Sequence, residues 1–229
     1  MKDGFVKAAA ASPVIKVADA EYNAQQVIKC MAAAREKGVK LLVFPELTLT
    51  GCFCYDLVGH RVLLEGAAAA LEKVVKASEG TDMLVLVGLP YAFGSRLLSC
   101  AAVVYDGALL ALIPRENVAG SRFADYPGEG ELVYVGALET ELCPGALFAH
   151  RSLNGLTVAV ELGADVTAAD SPTAYYAQSG ATVIAQMASF PATVSSTDDA
   201  LLAARYESKR FACGLVLAAP GKGESTTDN

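Results

Sequence analysis

The sequence predicts an α/β fold in which helices cover sheets that contain both parallel and antiparallel strands. Short apolar runs with the spacing of buried strands alternate along the chain with segments whose apolar residues recur at helical spacing. Asp106 and Gly107 separate two of these runs, which is the pattern of an antiparallel hairpin. Hydrophobic residues make up 53% of the 229 residues and charged residues 19%, so the chain can bury a large core. This pattern favours sheets with helices on one face of each.

The alternation is clearest in the first half of the chain. Asp19 is placed to cap a helix with an apolar stripe, and Gly38 is placed to end that helix in a left-handed conformation. Pro45 and Pro90 each follow an apolar run and bound a strand. The predicted elements are a strand at Val6–Ala11, a helix at Asp19–Lys37, a strand at Lys40–Phe44, a helix at Arg61–Ser78 and a strand at Met83–Leu89.

The second half begins with the hairpin and continues into a long loop. The stretch from Pro114 to Gly130 is polar and rich in glycine and proline, and long loops in compact domains often carry function. No linker or repeat divides the chain, so we expect one domain over residues 1–229. The predicted elements are strands at Leu98–Tyr105, Ala108–Ile113, Leu132–Val135, Leu156–Leu162, Ala181–Met187 and Gly214–Ala219, and helices at Thr173–Ser179 and Asp198–Phe211.

Composition argues against several classes of protein. The net charge of −7, with no basic stripe, argues against a nucleic-acid partner. No apolar run approaches the roughly 20 residues that cross a membrane, and the charged N-terminus does not resemble a signal peptide, so we expect a cytoplasmic protein. The six cysteines are expected to be reduced, and with two histidines and no ligand-like spacing no metal site is expected.

Glu46 is the first candidate for chemistry. It follows Pro45 at the carboxyl end of a predicted buried strand, where sites in α/β folds lie. A carboxylate in that position can act as a general base. It can equally serve a structural role by accepting a hydrogen bond from a nearby backbone amide, and the local pattern leaves both interpretations open.

The segment around Glu46 reads FPELTLTGCFCYDL. It resembles a motif of the carbon–nitrogen hydrolase (nitrilase) superfamily and, within it, of the glutaminase domain of glutamine-dependent NAD+ synthetases. Four further segments are similar to that family and occur in the same order, namely the opening MKDGFVKAAAASPVIKVADAEYN, then CAAVVYDGALLALIPRENV, GLTVAVELGADV and the C-terminal GKGESTTDN. The resemblance implies a four-layer α-β-β-α sandwich.

The resemblance also implies a catalytic triad of glutamate, lysine and cysteine that hydrolyses a carboxamide. In such a triad the cysteine attacks the carbonyl carbon, the glutamate is the general base and the lysine stabilises the oxyanion. Glu46 stands at the glutamate position, but Arg115 stands at the lysine position and Gly163 at the cysteine position. Arginine is not equivalent to lysine at such a site, and glycine cannot form a thioester.

Substrate-binding positions follow from the same resemblance. Cys52 stands where the family has a tyrosine, and Ser189 matches a serine close to the substrate. Tyr126, in the long loop, could contact a ligand amide. The structural alternatives are that Tyr126 covers the loop, that Ser189 satisfies a strand-end amide, and that Cys52 and Cys54 are packing thiols rather than replacement nucleophiles.

Partners are implied by the family rather than by composition. The resemblance implies glutamine as the substrate if a pocket is retained, no cofactor in this domain, an NAD synthetase domain or partner, and a homo-oligomer. The ATP-dependent synthetase signature S-G-G-x-D-S is absent from the sequence, and we expect the chain to stop before the final strands of the domain. Two hypotheses remain, a glutaminase-like amidase and an inactive nitrilase-fold binding or assembly module or degenerate fragment. Gly163 favours the second.

Overall fold

The computed structural model of the chain describes residues 5–189 and 194–224. The strands in these ranges are β1 (Ala8–Ala10), β2 (Leu41–Val43), β3 (Leu84–Phe93), β4 (Arg96–Tyr105), β5 (Ala108–Pro114), β6 (Glu131–Val135), β7 (Leu138–Leu142), β8 (Phe148–Ala149), β9 (Thr157–Leu162), β10 (Val183–Met187) and β11 (Gly214–Ala218). The helices are α1 (Ala20–Glu36), α2 (Arg61–Ala77), α3 (Thr173–Gln178) and α4 (Ser196–Phe211), with short 3₁₀ helices at Tyr55–Gly59 and Gly163–Thr167.

These strands form two sheets. Sheet A has the order β1-β2-β3-β4-β5-β7-β6, in which β1, β2 and β3 are parallel and β3, β4 and β5 are antiparallel. Sheet B has the order β11-β10-β9-β8, in which β9, β10 and β11 are parallel and β8 is antiparallel to β9. The carboxyl ends of parallel strands in both sheets are therefore available to build a site.

The core lies on both faces of sheet A. In β3 the side chains of Val85, Val87 and Leu89 pack in one cluster with α1 and α2, and Leu86 packs in a second cluster with sheet B. A third cluster joins Tyr176 of α3 to Ile184 of sheet B. The α/β fold with two sheets is thus confirmed, in keeping with the α-β-β-α order that the resemblance implies.

Local signals in the sequence account for several element ends. Asp19 caps α1, because its Oδ1 accepts a hydrogen bond of 3.0 Å from the Tyr22 backbone N–H. Gly38 has a φ of +69°, and Asp106 and Gly107 have φ values of +46° and +77°, as the predicted hairpin turn requires. The helix stop and the hairpin are therefore confirmed.

Three strand predictions need correction. β7 and β8 lie in a stretch where no strand was predicted. In β7 the inward residue between the two outward glutamates is Thr140 rather than an apolar side chain, which weakens the alternation, and β8 has only two residues, too few to show a period. The predicted end of the third strand at Leu89 is also wrong, because β3 runs on to Phe93. Its neighbour β2 ends opposite Leu86, so Pro90 lies on a free edge where its missing N–H costs little.

The described residues, 5–189 and 194–224, contain neither a membrane-spanning helix nor a cluster of metal-binding side chains. None of the helices that the structure describes is long and apolar enough to cross a bilayer. No group of three or more histidine, cysteine, aspartate or glutamate side chains within residues 5–189 and 194–224 could hold a metal ion. All six cysteines are free thiols, as predicted.

Candidate active site

Glu46 lies where the carboxyl ends of β2 and β10 meet. The Phe44 N–H still pairs with sheet A through the Leu86 carbonyl at 3.0 Å. Two residues later the Glu46 N–H donates to the carbonyl of Ala188, directly after β10, at 3.2 Å. The backbone at Glu46 therefore connects the two sheets, at the strand end where the sequence places a site.

A close backbone contact fixes the segment that carries Glu46. A Cβ atom on Gly88 would lie 2.3 Å from the backbone nitrogen of Leu47, so only glycine fits there without moving the backbone. The Leu49 N–H donates to the Gly88 carbonyl at 3.1 Å, and Leu47 has a φ of +54°. The turn is thus held tightly against β3, and the Glu46 side chain has a defined direction.

The Glu46 carboxylate is buried and bonded to two side chains. It is 1% exposed, and its Oε1 accepts hydrogen bonds from Ser99 Oγ at 2.6 Å and from Arg115 Nη1 at 3.3 Å. The side chain of Arg115 is 9% exposed, so this is a buried ion pair. Arg115 is held at its other end as well, because its Nε donates to the Asn117 carbonyl at 2.8 Å. Among the described residues the hydrogen-bond partners of the Glu46 carboxylate are thus two side chains, Ser99 and Arg115, and not the backbone amide of the structural alternative.

Gly163 faces the same ion pair. It follows β9 with a φ of +56°. A Cβ atom on Gly163 would lie 2.6 Å from Glu46 Oε2 and 2.7 Å from both Cζ and Nη1 of Arg115, closer than real Cβ atoms approach. Glu46, Arg115 and Gly163 thus converge on one point, and the arginine guanidinium fills the space that a side chain at residue 163 would need.

A polar network that the sequence did not reveal fixes this arrangement. Asp165 Oδ2 accepts from the Leu162 N–H at 3.0 Å, and its Oδ1 accepts from the backbone and side-chain nitrogens of Asn117 at 2.8 and 3.0 Å. Asn117 in turn holds Arg115. The signals available were weak, namely Asn117 two residues after Arg115 and Ser99 as the polar residue of an apolar strand.

Cys52 contacts the backbone of Glu46 and not its carboxylate. Its Sγ donates to the Glu46 backbone carbonyl at 2.9 Å, and its N–H donates to Glu224 Oε2 at 2.7 Å. Burial raises the pKa of the Cys52 thiol well above its ordinary value, and the carboxylates of Glu224 and Glu46 raise it further. Burial also raises the pKa of Cys54, whose Sγ donates to the Thr50 carbonyl at 2.9 Å. Both thiols therefore stay protonated, which argues against either as a nucleophile.

Glu224 is the buried member of the C-terminal motif. It is 5% exposed, and burial raises its pKa. The segment before it is tied to the N-terminal region, because the Ile15 N–H donates to the Lys222 carbonyl at 3.2 Å. Nothing in the local sequence indicates that this motif contacts Cys52, which lies 172 residues earlier. The remainder of the motif, residues 225–229, lies outside the described residues.

A cleft of about 650 Å³ opens beside Arg115. Tyr126 lines it, with its ring against Phe93 and its hydroxyl donating to Glu131 at 3.1 Å. Cys52 does not line this cleft, and Ser189 follows Ala188 behind the Glu46 backbone. The other residues of the cleft are Pro114, Glu116, Asp125, Pro144, Gly145, Asp170, Ser171, Pro172, Ala174, Tyr175 and Gln178.

A larger cleft, of about 830 Å³, lies at the opposite ends of the strands. Its central polar group is Asp82, which Lys40, Tyr105 and His150 all contact. The hydrogen bond from Lys40 is the largest of the effects that lower the pKa of Asp82 to about 2. Its charges are solvent-exposed, with 53% of the Asp82 side chain accessible, whereas the residues that the sequence singles out, Glu46, Arg115 and Gly163, meet at the other end, so we assign the candidate active site there.

Comparisons with known proteins bear on this site. The sequence model of the carbon–nitrogen hydrolase family matches residues 7–205. The glutamine-dependent NAD(+) synthetase of Mycobacterium leprae is 33% identical over 232 residues, which span 98% of this chain and 34% of that protein. The protein of the same description from Mycobacterium bovis is 34% identical with the same coverage. The chain thus spans about one third of the length of the curated relatives it matches.

Solved structures show the same fold at lower identity. A glutamine-dependent NAD(+) synthetase from Cytophaga hutchinsonii superposes with a TM-score of 0.81 at 18% identity, over 94% of this chain and 36% of that chain. An amidase from Nesterenkonia sp. superposes with a TM-score of 0.73 at 16% identity, over 98% of this chain and 80% of that chain. At these identities the likeness is one of fold.

Proposed function

The chain belongs to the carbon–nitrogen hydrolase family, and on that premise we propose that it is a domain of the glutaminase type found in glutamine-dependent NAD+ synthetases. We further propose that the site of this chain does not hydrolyse amides. The observation that carries the proposal is the guanidinium of Arg115 beside Gly163, within 2.7 Å of where a side chain would begin. A covalent hydrolase needs a nucleophile within hydrogen-bond reach of its general base. Here Glu46 holds the base position, but the nucleophile position is a glycine, and the Arg115 guanidinium fills the space beside it.

The electrostatics of the site support the proposal that it is catalytically inactive. In an active site of this kind a compact cation stabilises the oxyanion and the carboxylate removes a proton from the nucleophile. The guanidinium of Arg115 instead binds Glu46 at 3.3 Å and the Asn117 carbonyl at 2.8 Å. Two of its donors are thus bound to groups of the protein, and the Glu46 carboxylate is closed off from solvent at 1% exposure.

An active amidase is the second candidate. It is favoured by the retained Glu46 and by the cleft of about 650 Å³ that Arg115 and Tyr126 line. In that case a carboxamide would enter the cleft and Arg115 would have to leave Glu46 to reach the developing oxyanion. The buried ion pair opposes this movement, because separating it leaves an uncompensated buried charge.

The partners of the proposed domain follow from its relatives. We propose that it needs no cofactor, that glutamine is the ligand its cleft would bind if any, and that it assembles with an NAD+-synthesising domain or partner and with further copies of itself, in the cytoplasm. The relatives, of which this chain spans about one third, support an association of this kind. Co-purification of a tagged copy of this chain with such a synthetase domain would test the assembly. An excess of untagged chain should compete for the synthetase domain and reduce the amount that co-purifies.

The decisive experiment is ammonia release from glutamine. The unaltered chain, Glu46→Gln, Cys52→Ala and the exposed control Glu36→Gln are incubated with glutamine, and ammonia is measured against a protein-free blank. We expect all four samples to match the blank. Ammonia release by the unaltered chain and by Glu36→Gln that is abolished in Glu46→Gln would overturn the proposal and support the amidase. Loss in Cys52→Ala would identify that thiol as the nucleophile.

A further inference from the structure

Four polar side chains are buried together between sheet B and its helices. In β9, Val160 and Leu162 face the core between the sheets, so Glu161 between them faces the helices. Glu161, Gln186 of β10, Thr173 of α3 and Glu207 of α4 are 1%, 1%, 0% and 8% exposed. We call these four residues the acid cluster. It brings two carboxylates into a region sealed from solvent.

The members of the acid cluster contact one another directly. The Thr173 hydroxyl makes a short contact with Glu161 Oε1 and lies 3.1 Å from Glu207 Oε2. The Gln186 Nε2 donates to Glu161 Oε2 at 3.0 Å and to Glu207 Oε2 at 3.2 Å. The two carboxylates therefore share the same two donor groups.

The hydrogens available in the cluster are too few. A threonine hydroxyl carries one hydrogen, yet Thr173 lies within bonding distance of both carboxylates. Ser171 Oγ also donates to Thr173 at 3.1 Å, and Gln186 Oε1 is buried without a hydrogen-bond partner among the described residues. Neither Glu161 nor Glu207 forms an ion pair within that part of the chain. The contacts of the two carboxylates with Thr173 thus outnumber its single hydrogen, and one more hydrogen would give each of these two contacts its own.

The attachment of α4 depends on this cluster. All residues of α4 are described, and Glu207 is the one that is buried. Of its large apolar residues, Leu201, Leu202 and Tyr206 are 48%, 69% and 60% exposed, and Phe211 at its last position packs half-buried against the cluster around Tyr176. Apolar burial therefore contributes little to holding the helix on the sheet, and the polar contacts of Glu207 contribute more than is usual.

We propose that Glu161 and Glu207 hold one proton between them and that this shared proton fastens α4 to sheet B. With the proton bound, one carboxyl donates to Thr173 while the other accepts, and every contact in the cluster has a hydrogen. Without it, two ionised carboxylates face each other in a buried site with no cation. The lower-cost response is for Glu207 to move into water together with α4, because Glu161 is fixed within a central strand.

The groups around the acid cluster also favour a bound proton on the Glu161–Glu207 pair. Burial is the main cause that raises the pKa of Glu161 to about 7, and the charges of Glu207 and Asp165 add to it, while Thr173 and Gln186 oppose it. The other titratable groups that face the pair are Tyr176 of α3 and Cys213 after α4, and Tyr176 donates to Glu116 at 2.7 Å. None of these groups is a cation. The folded state therefore binds a proton above the ordinary pKa of 4.5, and stability falls as the pH rises through about 7.

Hydrogen exchange along α4 tests the proposal. The unaltered chain, Glu207→Gln and the exposed control Glu36→Gln are compared at about pH 5.5 and about pH 8.5 after correction for the intrinsic exchange rates. We expect α4 to lose about tenfold or more of its protection at the higher pH in the unaltered chain and in Glu36→Gln, while α1 keeps its protection. Glu207→Gln should show a clearly smaller loss, because its amide donates to Thr173 at every pH and no second carboxylate faces Glu161.

Several outcomes would overturn the proposal. One is the same pH-dependent loss in Glu207→Gln as in the unaltered chain, and another is equal protection of α4 at both pH values in the unaltered chain. Carbon-13 NMR of the two carboxyl groups at about pH 5.5 gives a direct count, and two ionised carboxylates would contradict a shared proton. If Glu207→Gln does not fold, Glu161→Gln is measured in its place, because it removes the other carboxyl group that would share the proton. Protection restored at the higher pH by added Ca²⁺ would identify a cation site instead.

Discussion

Two buried groups of carboxylates lie on either side of the end of β9, and their charges are balanced differently. Glu46, facing Gly163, is balanced by the guanidinium of Arg115. Glu161, two residues before Gly163, shares its site with Glu207, and neither forms an ion pair among the residues that the structure describes. An arginine neutralises a buried acid at every pH, whereas a proton does so only below the pKa of the group. The first group is therefore a permanent structural unit, and the second responds to pH.

The largest effect is expected when the permanent pair is broken. Arg115→Met keeps a long apolar chain beside Gly163 but leaves Glu46, 1% exposed, without its cation. We expect the free energy of unfolding to fall by about 3–5 kcal/mol, because an unpaired buried charge is costly. Urea denaturation monitored by circular dichroism measures this change.

The double variant Glu46→Gln with Arg115→Met is the control for that experiment. It removes both charges, so much of the lost stability should return if the ion pair is the cause. A single variant within about 1 kcal/mol of the unaltered chain would show that the guanidinium does not balance Glu46, since one-sided removal from a buried pair costs more than that.

A smaller loss is expected from the second partner of Glu46. Ser99→Ala removes a hydrogen bond of 2.6 Å to the buried carboxylate, and a bond to a charged acceptor contributes about 1.5–3 kcal/mol. Ser208→Ala is the matched control, because it removes a bond of 2.8 Å to the neutral Cys213 carbonyl. That change should cost about 0.5–1.5 kcal/mol. Equal losses in the two variants would contradict a charged role for Glu46.

The backbone contact beneath Glu46 gives a comparable or smaller effect. Gly88→Ala places a Cβ atom 2.3 Å from the Leu47 nitrogen, so the turn must move, and we expect a loss of about 1–3 kcal/mol. Gly66→Ala, in α2, is the control, because its nearest neighbour would be the Ala20 Cβ at 3.9 Å. That substitution should stabilise the helix by about 0.5–1 kcal/mol. A loss in Gly66→Ala as large as that in Gly88→Ala would mean that steric contact is not the reason.

The smallest effect is expected at the far ends of the strands, where the ion pair is exposed. The Asp82 side chain is 53% exposed, so Lys40→Gln should change stability by less than about 1 kcal/mol at neutral pH. Because the folded pKa of Asp82 is lowered to about 2, its contribution is present above its ordinary value of 3.8 and is lost as the pH falls through about 2. Added salt should reduce the difference between the two proteins. A difference unaffected by salt would count against a solvent-screened pair.

Local patterns revealed one half of this comparison and not the other. Glu46 could be predicted because Pro45 and a buried strand mark its position, and the hairpin at Asp106 and Gly107 depends on neighbouring residues alone. The acid cluster joins residues from β9, β10, α3 and α4. Local periodicity in the sequence cannot predict that four residues so far apart in the chain come into contact. The position of Arg115 against Gly163 could be inferred only from the resemblance, and its occupation of the space there required three-dimensional distances.

The central claim is that Arg115 fills the place of a nucleophile, and covalent labelling tests it most directly. Gly163→Cys alone and Gly163→Cys with Arg115→Lys are treated with a glutamine-like electrophile, and intact mass spectrometry measures the adduct, with the unaltered chain as the blank for its native thiols. We predict little adduct in the single variant, because the guanidinium lies within 2.7 Å of the new Cβ, and a stoichiometric adduct in the double variant. Rapid labelling of the single variant, equal to that of the double variant, would contradict the claim.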